Sequence, residues 1–215
     1  KVVKSIILNI NNMAKTEQYY TKFEENNYYH IFNRSVDRKP MFKNDGNYIY
    51  FMKQYNKYLS PVVDTYSYCL LGNHFHMLIR VPDKLSNINP EKTVHDIVSH
   101  QFRKFFQSYV MAFNKQQNRI GTLFQTPFKR ALVDNDQYLT QLVYYIHANP
   151  QLHGLINDFR DWNWSSYNKI LTDNVSKLKK NELLEWFGGK KEFVNFHSER
   201  QIMITDERYV LEDEI

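Results

Sequence analysis

Two apolar runs, Val62–Leu71 and His74–Val81, are separated only by the dipeptide Gly72-Asn73. Strands joined by two residues pair with each other, and only antiparallel. This segment therefore commits the chain to a sheet with a tight hairpin inside it. Upstream, Tyr28–Arg34 (YYHIFNR) is rich in aromatic and β-branched residues and reads as a strand. Asp45-Gly46-Asn47 opens a helix running to about Leu59, with Tyr50, Phe51, Tyr55 and Leu59 at helical spacing and Pro61 ending it. Downstream, Thr93 caps a long helix on which Val94, Val98, Phe102, Phe105, Tyr109 and Phe113 recur every three or four residues until Gly121 breaks the pattern. Arg130–Val133 reads as a short strand, and Asp134-Asn135-Asp136 caps another helix ending at Asn149-Pro150.

The order strand, helix, strand, strand, helix, strand gives the expected fold class: α+β, a ferredoxin-like antiparallel sheet flanked by helices, with a small helical C-terminal appendage. The expected organisation is an N-terminal extension over residues 1–26, a main domain over 27–170 and the appendage over 171–215. The appendage starts with the basic cluster Lys177, Lys179 and Lys180. Short helices are expected over Asn181–Phe187, stopped by Gly188-Gly189, and over Glu192–His197, before an acidic tail from Asp206 to Ile215.

Composition narrows the function classes. A single cysteine, Cys69, excludes an intramolecular disulfide framework and a multi-cysteine zinc site, and its apolar surroundings predict a buried thiol. No apolar run has the roughly 18 residues of a membrane helix, so a cytoplasmic, reduced setting is expected. The net charge of +5 with 16% aromatic residues suits a nucleic-acid binder or a tyrosine-rich core. The distribution says more than the total. Ile97–Val133 contains no Asp or Glu but holds Arg103, Lys104, Lys115, Arg119, Lys129 and Arg130. Such a run is either a solvated helix face or a phosphate-facing surface.

On the second strand of the hairpin, side-chain alternation puts Phe75, Met77, Ile79 and Val81 on one face. His74 and His76 project together from the other, close enough to share one metal ion. In a chain with 8 His an HxH pair alone is weakly specific. The helix after Asp136 buries Leu139, Leu142, Val143 and Ile146. At about 100° per residue, Tyr145 and Asn149 then share one flank near Tyr138 and Gln141, while Tyr144 points to the opposite flank. Tyr145 as a boundary residue, and Asn149 as the residue closing the helix, remain the plainer alternatives. Tyr109 lies on an apolar stripe and reads as core. His147 and His153 flank the helix end as supporting or DNA-contacting candidates, and Trp162, Trp164 and Tyr167 are expected to pack the sheet edge.

Asn73-His74-Phe75-His76 after an apolar strand resembles the HUH motif of single-tyrosine transposases, in particular the REP-associated group. The resemblance continues through Phe113-Asn114, Gly121-Thr122-Leu123-Phe124-Gln125 with Phe128, Tyr144-Tyr145-Ile146-His147-Ala148-Asn149-Pro150, Gly154-Leu155 and Trp164-Ser165-Ser166-Tyr167, spanning about residues 27–170. Leu71-Gly72 departs from the Met-Pro of many relatives, at the turn rather than at a ligand.

The resemblance implies a metal-dependent endonuclease and strand transferase acting on single-stranded DNA with hairpin structure. His74, His76 and Asn149 would bind Mg²⁺ or Mn²⁺, and Tyr145 would be the nucleophile. Two imidazoles and an amide are softer than carboxylates, which favours Mn²⁺ in vitro. Lys129 and Arg130 are the preferred phosphate contacts, with Arg103, Lys104 and Arg119 as further DNA-binding candidates. The implied setting is nucleoid-associated, without a membrane, and a homodimer stays open. Two other classes stay open as well: a non-catalytic single-stranded nucleic-acid binder on the same fold, and a His-metal phosphohydrolase that makes no use of tyrosine.

Overall fold

The computed structural model of the protein describes residues 20–83, 85 and 91–204. The first twelve residues and the acidic tail therefore lie outside the described residues. Four strands, β1 (Tyr28–Arg34), β2 (Asp64–Leu70), β3 (His74–Arg80) and β4 (Lys129–Val133), form one antiparallel sheet in the order β2-β3-β1-β4. Helices α1 (Asp45–Tyr58) and α2 (Val94–Gln116) precede β2 and β4. This is the expected ferredoxin-like order.

The two helices start where side chains take up free backbone amides. Asn44 accepts from the Asn47 N–H at the start of α1, and Thr93 and Asp96 form a reciprocal capping box at α2. Both helices pack on the sheet face that carries Tyr29, Ile31, Phe75, Met77 and Ile79. Phe51, Phe102, Phe105 and Tyr109 are fully buried there, each contributing on the order of 2 kcal/mol. Tyr109 donates its hydroxyl to the Met41 carbonyl at 2.5 Å, so it is core as expected. The core also reaches before residue 27: Phe23 is 1% exposed and stacks on Phe102.

The opposite face of β3 is not solvated. Helix α3 (Asp136–Leu152), capped by the Asn135 side chain, covers it with Leu139, Leu142, Val143 and Ile146. It does not end at Asn149-Pro150 but runs on to Leu152. Proline removes only its own amide from the ladder, and the following turn closes through His153 N–H to the Asn149 carbonyl and Leu155 N–H to the Pro150 carbonyl.

The C-terminal segment forms the outer layer of this second core. It comprises α4 (Tyr167–Leu171), α5 (Lys180–Trp186) and α6 (Lys190–Ile204), the last much longer than Glu192–His197. Leu183 and Phe193 are fully buried. Trp162 donates to the Leu70 carbonyl, Trp164 stacks on Tyr48, and Ser166 N–H bonds the Tyr68 carbonyl. These contacts cover the β2 edge, which would otherwise present unpaired backbone groups. Cys69 is buried there, and burial pushes its thiol up.

One chain of hydrogen bonds ties α6 to α3 and β2. His197 Nδ1–H donates to the Phe193 carbonyl, which leaves His197 Nε2 to accept from His147 Nδ1–H at 3.0 Å. His147 Nε2 accepts from the Ser166 hydroxyl at 2.8 Å. With both rings neutral, every donor in this chain has an acceptor. Burial holds His147 well below the ordinary imidazole range and His197 down to about 3. Below pH 6.5 the unfolded rings gain protons that the folded rings refuse. Stability is therefore lost as pH falls, by about 1.4 kcal/mol per pH unit for each ring. We expect the melting temperature to decline steadily from pH 6.5 to pH 5, with a shallower slope in His197→Leu. A flat profile in thermal melts would contradict a neutral pair.

Candidate functional site

Strand parity builds the site. On β1 the side chains of His30, Phe32 and Arg34 share the α3-facing side of the sheet, and on β3 those of His74 and His76 do so. The register sets Phe32 opposite His76 and Arg34 opposite His74. His74 and His76 are 6% and 7% exposed, with ring centroids 5.4 Å apart and planes at 89°. Above them α3 places Tyr145 edge-on to His76, with centroids 5.5 Å apart. One turn further along, Asn149 Oδ1 stands 3.3 Å from His74 Nε2. The four residues singled out by the sequence converge at this one place.

Hydrogen bonding fixes how the donor atoms point. Asn73 Nδ2 donates to the Arg38 carbonyl at 3.0 Å, which turns its Oδ1 to His74 Nδ1 at 2.6 Å. An amide oxygen only accepts, so His74 Nδ1 carries the proton and its Nε2 is left with a lone pair. Asn149 Nδ2 donates back to the Tyr145 carbonyl, which directs Asn149 Oδ1 at that same Nε2. Two acceptors thus face each other, and a cation or a second proton on the ring relieves the arrangement. His76 bonds through Nδ1, and its ring makes no other hydrogen bond among the described residues. Burial, reinforced by the neighbouring rings, keeps its pKa well below the ordinary imidazole range, so it stays in the neutral form a metal needs. Among the described residues no three His, Cys, Asp or Glu side chains form a metal cluster. The side chains here that could offer donor atoms to a cation are the two imidazoles and the Asn149 amide.

Sequence reasoning missed His30. Its Nε2 lies 3.0 Å from His76 Nδ1, its ring packs against those of both Phe32 and His76, and burial pushes its pKa down to about 3. The strand itself was legible, but only the register against β3 reveals that the parity of His30 matches that of His76. His153 also stands nearby, with its ring 4.8 Å from that of His74. His147 does not belong to the site; it is locked in the buried network beneath α6. The adjacent tyrosines part as expected. Tyr144 packs against Phe159 and His197, with its hydroxyl unpartnered among the described residues and its pKa raised by burial. Gln141, one turn before Tyr145, accepts from Arg200 Nε on α6 at 3.1 Å.

The basic candidates separate. Lys129 opposes Phe32 in the sheet and stands on the site face, with Nζ 5.7 Å from the Phe32 ring centroid. Arg130, one residue on, points through the other face. There it donates to the Thr21 and Tyr20 carbonyls and lies over Phe23 and Phe128. Arg103 and Lys104 are exposed on α2, across the sheet from the site. Arg119 donates to Asn114 Oδ1 and the Thr122 carbonyl, closing the turn after α2.

Three comparisons bear on this arrangement. A structure described as a REP-associated tyrosine transposase bound to a REP hairpin superposes with a TM-score of 0.52 at 15% identity, covering 71% of this chain and 84% of that one. At that identity the likeness is one of fold. A Haemophilus influenzae protein named for the REP-associated tyrosine transposases is 28% identical over 108 residues, which is 49% of this chain and 60% of the relative. This chain thus spans less than two thirds of that relative's length. The family model described as transposase IS200-like matches residues 24–149, more than half of the chain and the whole stretch from β1 to Asn149. The chain belongs to the IS200-like transposase family.

Proposed function

We propose that the chain is a metal-dependent single-stranded DNA endonuclease and strand transferase, cleaving at hairpin-associated sites through a 5′-phosphotyrosine intermediate. The observation that carries this reading is the convergence of Tyr145 on the His76 ring, with Asn149 on the same helix paired to His74. The hairpin as partner draws on the relative solved with a REP hairpin, and a DNA substrate implies a cytoplasmic, nucleoid-associated setting. All four residues come from one chain, which supports a site that needs no second copy.

A phosphodiester repels nucleophiles by its charge, and a phenol of pKa about 10 is weakly nucleophilic at neutral pH. His74, His76 and Asn149 would hold Mg²⁺ or Mn²⁺, which when bound polarises the phosphate oxygens and offsets their charge. Tyr145 Oη bonds to the scissile phosphorus as its proton passes to solvent or a nearby base. The P–O3′ bond breaks, and the released oxygen takes up a proton and leaves as a 3′-hydroxyl. The phosphate stays esterified to Tyr145, so a 3′-hydroxyl from another strand can attack it and regenerate the phenol without ATP. Lys129, on the same face, meets the DNA backbone.

Incubation with Mn²⁺ and hairpin-flanked single-stranded oligonucleotides should yield a covalent protein–DNA adduct on denaturing gels. Tyr145→Phe should abolish it, and Tyr144→Phe should retain it. No adduct across varied hairpins, or one that survives in Tyr145→Phe, would sink the reading; cleavage without an adduct would favour the phosphohydrolase.

The two neighbouring basic residues should behave differently. Lys129→Ala should weaken oligonucleotide binding and lower its salt dependence by about one counterion. Arg130→Ala should leave that slope unchanged and cost ~1–2 kcal/mol in urea unfolding. The reverse pattern would place the phosphate on the opposite sheet face.

A further inference from the structure

We propose that His30 is a positioning residue that holds His76 in the tautomer able to ligate a cation through Nε2. The inference rests on the metal reading given above and assigns a role to a side chain outside the HxH pair.

A neutral imidazole carries one N–H, and which nitrogen bears it decides whether the ring can be a ligand on a given side. Between His30 Nε2 and His76 Nδ1, 3.0 Å apart, lies one proton. If His76 Nδ1–H donates it, Nε2 of His76 keeps its lone pair. If His30 donates it, His76 carries its own proton on Nε2 and offers no ligand there. His30 makes no other hydrogen bond among the described residues and is only 7% exposed. A half-polar ring is thus buried on a strand where a plain hydrophobe would pack, with His76 as its one hydrogen-bond partner among the described residues.

The other imidazole of the pair shows the same design. His74 is also tethered through Nδ1, to the Asn73 amide oxygen at 2.6 Å, which can only accept. Both rings are held by the same atom, and both therefore present Nε2. A partner that orients a ligating His and sets its tautomer typically changes metal affinity 10- to 100-fold when removed.

The test combines a spectroscopic and a binding measurement on the full chain. In metal-free, ¹⁵N-histidine-labelled protein at pH 7.5, long-range ¹H–¹⁵N correlation spectra should show His76 as the Nδ1–H tautomer. His30→Phe keeps the ring volume but removes the acceptor. It should mix the His76 tautomers and weaken Mn²⁺ binding, followed by EPR of the free ion, by about 10- to 100-fold. His30→Gln, whose amide oxygen can accept, should recover part of the loss. A His76 found with its proton on Nε2 in the wild-type protein, or unchanged Mn²⁺ affinity in folded His30→Phe, would overturn the proposal. If His30→Phe does not fold, the wild-type tautomer and His30→Gln still decide it. Wild-type protein that takes up no Mn²⁺ would instead overturn the metal reading, while the metal-free spectra decide the His30 bond independently.

Discussion

Antiparallel pairing of β1 with β3 sets Phe32 opposite His76 and Arg34 opposite His74. Because strand side chains alternate with a period of two, a slip of one residue would send His30 into the first core and bring Ile31 into the site. The register is held by burial on both faces. Tyr29, Ile31, Phe75, Met77 and Ile79 fill one core, and Leu78 with the two His fills the space under α3. Neither side can be exchanged without exposing a row of apolar side chains or burying polar ones against them, so the position of the imidazoles is a consequence of packing.

The second constraint is the height and phase of α3. Its apolar stripe seats it on the sheet, and the buried hydrogen bonds from His147 to Ser166 and His197 hold its far side. Between these two contacts the flank carrying Tyr145 and Asn149 has nowhere to turn except toward β3. The C-terminal helices therefore contribute to the site without touching it, by backing the helix that carries two of its residues. The turn at Gly72-Asn73 plays the same part for β3. Its carbonyls accept from the backbone of Ser35, Met41 and Phe42, and the Asn73 side chain orients His74.

Charge is distributed differently from its order along the chain. The acid-free window from Ile97 to Val133 spans α2, its closing turn and β4, and these elements divide between the two sides of the sheet. Arg103 and Lys104 are exposed on the far side, Arg119 and Arg130 hold local backbone carbonyls, and Lys129 stands on the site face. A run that reads as one basic surface is thus several environments, because adjacent strand residues face opposite ways and a helix turns its charges outward.

What the sequence by itself determined was periodic or local. The four strands and three main helices, the buried stripes of α2 and α3, and the separation of Tyr145 from Tyr144 all follow from spacing along one element. Parity and helical phase put His74 with His76, and Tyr145 with Asn149, each on one side of its own strand or helix, and the resemblance to the single-tyrosine transposases singled these four out. Only the tertiary structure decided what lies between elements. It brought His30 to His76, Asn149 to His74 and His147 into a buried network, and it turned Lys129 rather than Arg130 to the site face. Those relations depend on register and on which sheet face each helix covers. Both are set by packing among residues far apart in sequence, which no local period encodes.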